Sequence, residues 1–379
     1  MIRPLLSLTF AMAAVSAFAQ NAQLVYFGTY TNPKSGSEGV YVSTFDAATG
    51  DLSSPVLAAK TSSPSFLAIH PSGRLLYTVG EAPASASSKS EVSAYQISRP
   101  GGTLEKLNSV SAGGAGPCYI SLEKGGGVAM TAQYSDGTVT SHLVAKDGTL
   151  GQAVSVIQHA GKGPNAGRQD KPHAHSIRMT PDNRYALACD LGADKVFVYK
   201  LDPITGVLTP HGHADLPPGS GPRHSAFHPN GKFVFVNNEI LMTVSTFAYD
   251  AEKGVLRLLG TVSTLPEADR NLKGLSTAEV VAHPNGRVVY VSNRTHNTIA
   301  VFQCDAQTGA LTLIQNVATE GNTPRNFSLD LTGKWMVVGH QDTNSAAIFS
   351  VNSADGRLSF TGKKVSVGAP VCVRFLPAE

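Results

Sequence analysis

The chain has 379 residues, 42% hydrophobic and 15% charged, an apolar share that can bury a core and that excludes a disordered protein. Thirty Lys and Arg against 27 Asp and Glu leave a net charge of +3, too small and too dispersed for a nucleic-acid binder. Thirty-seven Gly and 22 Pro suit short strands and turns better than helices.

The first segment reads as an address rather than structure. Arg3 supplies a positive start, residues 5–18 an apolar run, and Ala17-Phe18-Ala19 an A-x-A cleavage site. That run is shorter than the roughly 20 apolar residues a membrane span needs. The expectation is a signal peptide over 1–19, a mature chain from Gln20 to Glu379 forming one domain, and a periplasmic or secreted location with no membrane span. Oligomeric state is left open.

From there the chain repeats itself. A small turn, x-G-x-L, recurs around Gly50, Gly102, Gly148, Gly206, Gly254, Gly309 and Gly356, at spacings of 52, 46, 58, 48, 55 and 47 residues. Its glycine supplies the positive φ that a hairpin loop needs. A second turn keeps the same beat, as in His70-Pro71-Ser72-Gly73, His228-Pro229-Asn230-Gly231 and His283-Pro284-Asn285-Gly286. Each copy precedes a β-branched or aromatic run such as Phe233-Val234-Phe235-Val236, with no helical period. Each unit therefore holds about four short strands, which is one propeller blade.

The termini show how the ring closes. Residues 370–377 (PVCVRFLP) look like a first strand with no successor, and residues 24–30 (LVYFGTY) like a second strand with no predecessor. The predicted fold is all-β: a seven-bladed β-propeller with four-stranded blades, its C-terminal strand completing the N-terminal blade. That clasp leaves no open edge. A linear β-solenoid is the runner-up, and the split blade argues against it.

Register then selects a site. Gly73, Gly126, Asn183, Gly231, Gly286, Gly333 and Glu379 mark the zero of each repeat. Eight residues before zero stand Ser65, Cys118, His175, Arg223, Ala278, Arg325 and Val371. Eight after it stand Glu81, Tyr134, Leu191, Glu239, Arg294 and Gln341, with Asp190 beside Leu191. Positions equidistant from a hairpin turn lie side by side, so both columns converge on one mouth of the central channel. Structural ion pairs between blades are the bland reading of the charge collected there. Two long linkers, Gln158 to Pro172 and Thr264 to Thr277, should overhang the same mouth as a lid, offering Asn165, Arg168 and His173 from the first; Glu279 follows the second.

The four cysteines (Cys118, Cys189, Cys304, Cys372) lie 71, 115 and 68 residues apart. That spacing indicates neither a zinc site nor a disulfide framework, so they read as buried small hydrophobes. No carboxylate–histidine metal cluster is evident, and arginines at the centre of the mouth would repel a cation. No metal or other cofactor is expected. A G-x-S-x-G nucleophile elbow is also missing, which disfavours a serine esterase.

The strings GPNAGRQDKPHAHS (163–176), GPRHSAFHPNG (221–231), NNE (237–239), STAEVVAHPNGR (276–287) and SNR (292–294) resemble the lactonase family of seven-bladed propellers. That family includes a bacterial 6-phosphogluconolactonase and a fungal carboxymuconate-lactonizing cyclase. The resemblance covers the mature chain end to end. It implies that catalysis rests on His175, Arg223, Glu239 and Arg294, positions the register had already selected. His173, Glu81, Tyr134, Asp190, Arg325, Gln341 and Glu279 are the candidate substrate-binding residues. The signal peptide is the departure, because phosphogluconate chemistry belongs in the cytoplasm.

Opening a lactone requires water to lose a proton, the carbonyl oxygen to be held, and the leaving alkoxide to be protonated. An imidazole suits the proton transfers and guanidinium groups suit the oxyanion or an anionic substrate. Glu239 between arginines should stay ionised, as an orienter of water or arginine or as a second base. The expected partner is a small anionic or polyhydroxylated lactone, and no nucleic acid. A muconate-type lactonizing cycloisomerase and a non-catalytic binding propeller are the alternatives.

Overall fold

The computed structural model describes residues 21–81 and 90–379; the expected leader, 1–19, lies outside them. The strands form seven antiparallel sheets. Six are uninterrupted four-stranded meanders, starting at Leu67, Pro117, Ala174, Pro222, Ser276 and Pro324. The remaining blade is the split one. Pro370–Pro377 runs antiparallel to Ala22–Thr29, from Gln23 opposite Pro377 to Thr29 opposite Pro370. Its outer edge is in two short pieces, Asp51–Leu52 and Val56–Lys60, both paired with Gly39–Asp46. The single helical turn among the described residues is Glu267–Asp269, so none is long and apolar enough to cross a membrane.

Blade position explains the strand sequences. Second strands such as Val128–Gln133, Tyr185–Asp190 and Phe233–Asn238 are buried at every residue, because a blade is covered on both faces. Continuous apolar runs rather than alternation result. Phe235 and Phe302 fill one seam between blades and Tyr290 and Phe349 the next, all fully buried, each contributing roughly 1.5–3 kcal/mol of apolar burial. Pro117, Pro222, Pro324 and Pro370 each open an innermost strand, where a missing N–H costs no ladder bond.

The recurring x-G-x-L turn has two reasons for its glycine. All seven glycines have positive φ, between +64° and +89°, and each turn presses against a neighbouring blade. A Cβ on Gly254 would lie 2.3 Å from the Tyr185 ring, and one on Gly50 would lie 2.6 Å from Trp335. The same turns take side-chain hydrogen bonds across the seams, Tyr26 Oη to the Gly102 carbonyl at 2.8 Å and Tyr290 Oη to the Gly356 carbonyl at 2.8 Å. Repeat spacing thus records blade-to-blade contact as well as hairpin geometry.

Candidate active site

In a regular strand consecutive side chains point to opposite faces. Six of the seven innermost strands break that rule at one place, with a register shift where two residues oppose one. The extra residue is Cys118, His175, Arg223, Ala278, Arg325 or Val371, the column eight residues before each hairpin turn. Such bulges re-aim side chains. Here they turn that column onto the channel axis. The partner column is anchored with equal regularity: the amides of Glu81, Tyr134, Leu191, Glu239 and Gln341 bond the carbonyls of Ser63, Gly116, His173, Gly221 and Thr323.

Glu239 is the hub. It is 2% exposed, with Oε1 2.9 Å from Arg294 Nη2 and in contact with Arg168 Nη2, and Oε2 3.0 Å from Arg223 Nε. The last contact is an ion pair rather than an aligned hydrogen bond, since Arg223 Nε has no hydrogen-bond acceptor. Burial alone would raise the Glu239 pKa, but Arg294, Arg223 and Arg168 outweigh it and hold the carboxyl well below the usual range. Arg223, 3% exposed, is itself lowered to about 10 by burial and by Arg325, against the pull of Glu239. Glu239 is therefore ionised at neutral pH and committed to arginines.

His175 is 4% exposed. Its Nδ1 lies 3.7 Å from Cys118 Sγ, while Nε2 has no hydrogen-bond partner among the described residues. Burial, then Arg223, His224 and Arg325, push its pKa well below 6.5. His175 is therefore neutral at pH 7 and able to accept a proton, as a weaker base than a solvent-exposed imidazole. Cys118 is inert beside it, its thiol pushed up by burial. All four cysteines are free and buried.

Across the mouth a second chain runs through Tyr30, whose hydroxyl donates to Glu81 Oε2 at 3.0 Å and accepts from Arg325 Nη2 at 3.0 Å. Arg325 also lies over the Tyr30 ring, 5.4 Å from its centroid. Tyr30 escaped the register count because its blade is split between the chain ends. Thr29 pairs with Pro370, which makes Tyr30 the missing member of the second column. Buried polar atoms without partners gather at this mouth: Ser65 Oγ, Arg294 Nε and Gln341 Oε1. Such groups are rare in native interiors and call for a ligand or water.

The remaining candidates separate. Tyr134 belongs to the wall, accepting from Arg168 at 3.1 Å and meeting the His175 ring edge-on at 5.4 Å. His173 backs it, stacked on the Tyr134 ring at 4.5 Å with Nδ1 2.7 Å from the Tyr134 carbonyl. Asp190 is fully buried, its oxygens committed to His159 Nδ1 and to the amides of His173 and Ala193; it braces the hairpin instead of facing substrate. Glu279 sits one level deeper, 3.0 Å from His224 Nδ1 and bonded to the Asn326 amide. Of the first linker, Arg168 alone reaches the Glu239 cluster, whereas the Asn165 carboxamide oxygen accepts from Gly167 within the loop. In the second linker Asp269 pairs with His296 at 3.2 Å.

His224 is the residue the sequence reading passed over, although it stands in the GPRH string. It occupies the level below the mouth, 2% exposed, its ring 5.3 Å from that of His175. Burial lowers its pKa to about 4, so it is neutral. With Nδ1–H donating to the ionised Glu279, its Nε2 accepts from Arg223 Nη1 at 3.1 Å. Arg223 Nη1 also bonds the Ala278 carbonyl.

The arrangement offers a neutral base with an open nitrogen, several guanidinium groups in a shielded mouth, and a carboxylate that aligns them. Comparison with known proteins places the fold in a family. Residues 24–375 match the model of a family described as lactonase, 7-bladed beta-propeller. A 6-phosphogluconolactonase of Bacillus subtilis is 39% identical over 351 residues, covering 93% of this chain and 97% of its own. One of Formosa agariphila is 30% identical, covering 88% and 94%. Among solved structures, the periplasmic gluconolactonase of Pseudomonas aeruginosa superposes with a TM-score of 0.88 at 31% identity, covering 94% of this chain and 99% of that one. This chain belongs to the lactonase family of seven-bladed β-propellers.

Proposed function

We propose that the protein hydrolyses an anionic or polyhydroxylated aldonolactone, outside the cytoplasm and by acid/base chemistry of its own side chains. His175 carries the reading, because it is neutral and its Nε2 is unpartnered beside Arg223 and Arg325. A water at that nitrogen gives up its proton to His175 as its oxygen attacks the lactone carbonyl. Arg223 and Arg294, fixed by Glu239 before substrate arrives, hold the oxyanion in a shielded site where such donors act most strongly. The acyl C–O bond of the ring then breaks, and protonated His175 returns its proton to the leaving alkoxide. The product is an open hydroxy acid, which ionises.

Four guanidinium groups (Arg168, Arg223, Arg294, Arg325) against Glu81 and Glu239 leave the mouth positive, which suits a substrate carrying negative charge. The leader expected over 1–19 and the likeness to a periplasmic gluconolactonase support export. A panel of aldonolactones, with and without a phosphate, tests the reading by acid release above the spontaneous rate. Turnover of at least one aldonolactone is expected. Turnover of none, or cyclisation of a muconate instead, contradicts it. Protein exported from a Gram-negative host should begin near Gln20; an intact Met1 on cytoplasmic protein overturns the exported reading.

A further inference from the structure

The channel does not run through. One level below the mouth, Phe66, Tyr119, His224, Glu279 and Asn326 close it. The Phe66 and Tyr119 rings lie 4.1 Å apart, and His224 meets both edge-on at 5.5 and 5.1 Å. Beneath this plug a second chamber of about 770 Å³ opens at the opposite end of the axis, ringed by the hairpin turns.

Two arginines face that chamber from the same register position, five residues before the turn, in blades on opposite sides of the ring. Arg374 uses Nε on the Leu67 carbonyl at 3.2 Å and Nη1 on the Val373 carbonyl at 2.8 Å, lying over Phe66 at 4.6 Å. Arg178 uses Nη1 on the Ser225 carbonyl at 2.7 Å and lies over Phe227 at 5.3 Å. Both are thus held rigidly, while neither Nη2 has an acceptor among the described residues. Tyr119, 8% exposed, ends there with a hydroxyl that has no hydrogen-bond partner among the described residues. Burial pushes its pKa up, while Arg178 and Arg374 act to lower it. Two acids line the chamber: Glu279 is committed to His224 and Asn326, and Glu123 accepts from the Gly125 and Gly127 amides and the Asn183 carboxamide.

We propose that this lower chamber is a second binding site, for a small organic carboxylate with an apolar body. Preorganised guanidinium groups with free N–H donors match a carboxylate, and the aromatic walls of Phe66 and Phe227 match the apolar part. The site is independent of the lactonase reading, because the plug separates it from His175.

Benzoate is the probe, titrated into the full protein and followed by ligand-observed NMR, with benzyl alcohol as the uncharged control. Saturable binding of benzoate and none of benzyl alcohol is expected, with a Kd on the order of 1 mM, usual for so small a ligand. Arg178→Gln and Tyr119→Phe should each weaken it, the arginine change about ten-fold, as loss of a charge-assisted pair implies. Arg374→Gln should do the same; should that variant not fold, Arg178→Gln decides. Absence of saturable binding, or binding unchanged in Arg178→Gln, overturns the proposal.

Discussion

Arg223 and His224 are consecutive in sequence, yet Arg223 Nη1 lies 3.1 Å from His224 Nε2. Only the bulge at Arg223 lets neighbours on one strand meet. A chain results, from Glu279 through His224 to Arg223 and on to Glu239, joining the plug of the channel to its mouth.

His224→Phe keeps the ring and breaks that chain. It should leave the buried Glu279 without one of its two side-chain donors, costing about 1–3 kcal/mol of stability by denaturant unfolding. A loosened Arg223 should also lower kcat/KM roughly ten-fold, with KM rising. Wild-type kinetics in this variant would show that Arg223 needs no support from below.

Stability should fall on the acid side. Neutral burial of His224, lowered to about 4, and of His175 means the unfolded chain takes up protons first as pH drops below about 6.5. Glu239 and Glu279, both held low against their burial by charged partners, add further loss below about pH 4.5. Melting temperature should therefore be level above pH 7 and decline steadily from pH 6.5 to 4. A flat profile down to pH 5 contradicts the buried neutral histidines.

Much of this was legible in the sequence, for a definite reason. Blade count, ring closure and both mouth columns follow from turn spacing, and turn spacing is fixed by glycines that must fit against the next blade, such as Gly254 on Tyr185. The level at which a side chain sits was not legible. Glu279 and Asp190 stand beside column positions, but a bulge shifts which neighbour faces the axis, so one joins the plug and the other braces a hairpin. Tyr30 was hidden by the chain ends, and His224 because alternation would point it away from Arg223.

The clasp carries a prediction of its own. Deleting residues 370–379 removes the innermost strand of blade one, strips Ala22–Thr29 of its inner partner and uncovers Val25 and Phe27, both fully buried against Val373. Loss of one interface in a closed ring destabilises its neighbours as well. The truncated protein should melt at least roughly 10 °C lower or fail to fold. Melting at the full-length temperature would refute closure by the C-terminal strand.

The acid limb of catalysis follows from His175. Since burial, Arg223, His224 and Arg325 push its pKa well below 6.5, kcat/KM for the enzymatic reaction should stay level from pH 8 through 6.5, after subtraction of spontaneous opening. A base with an ordinary imidazole pKa would instead halve the rate near pH 6.5. Finding that midpoint would place His175 in a wetter, less cationic site.

The most direct measurement is kcat for His175→Ala on the best aldonolactone, with the melting temperature taken on the same sample. Removing a general base should cost on the order of 100-fold or more, while a lost ring at the channel wall should leave the fold near its wild-type melting point. A variant that melts normally and hydrolyses the lactone at the wild-type rate would show that proton transfer lies elsewhere.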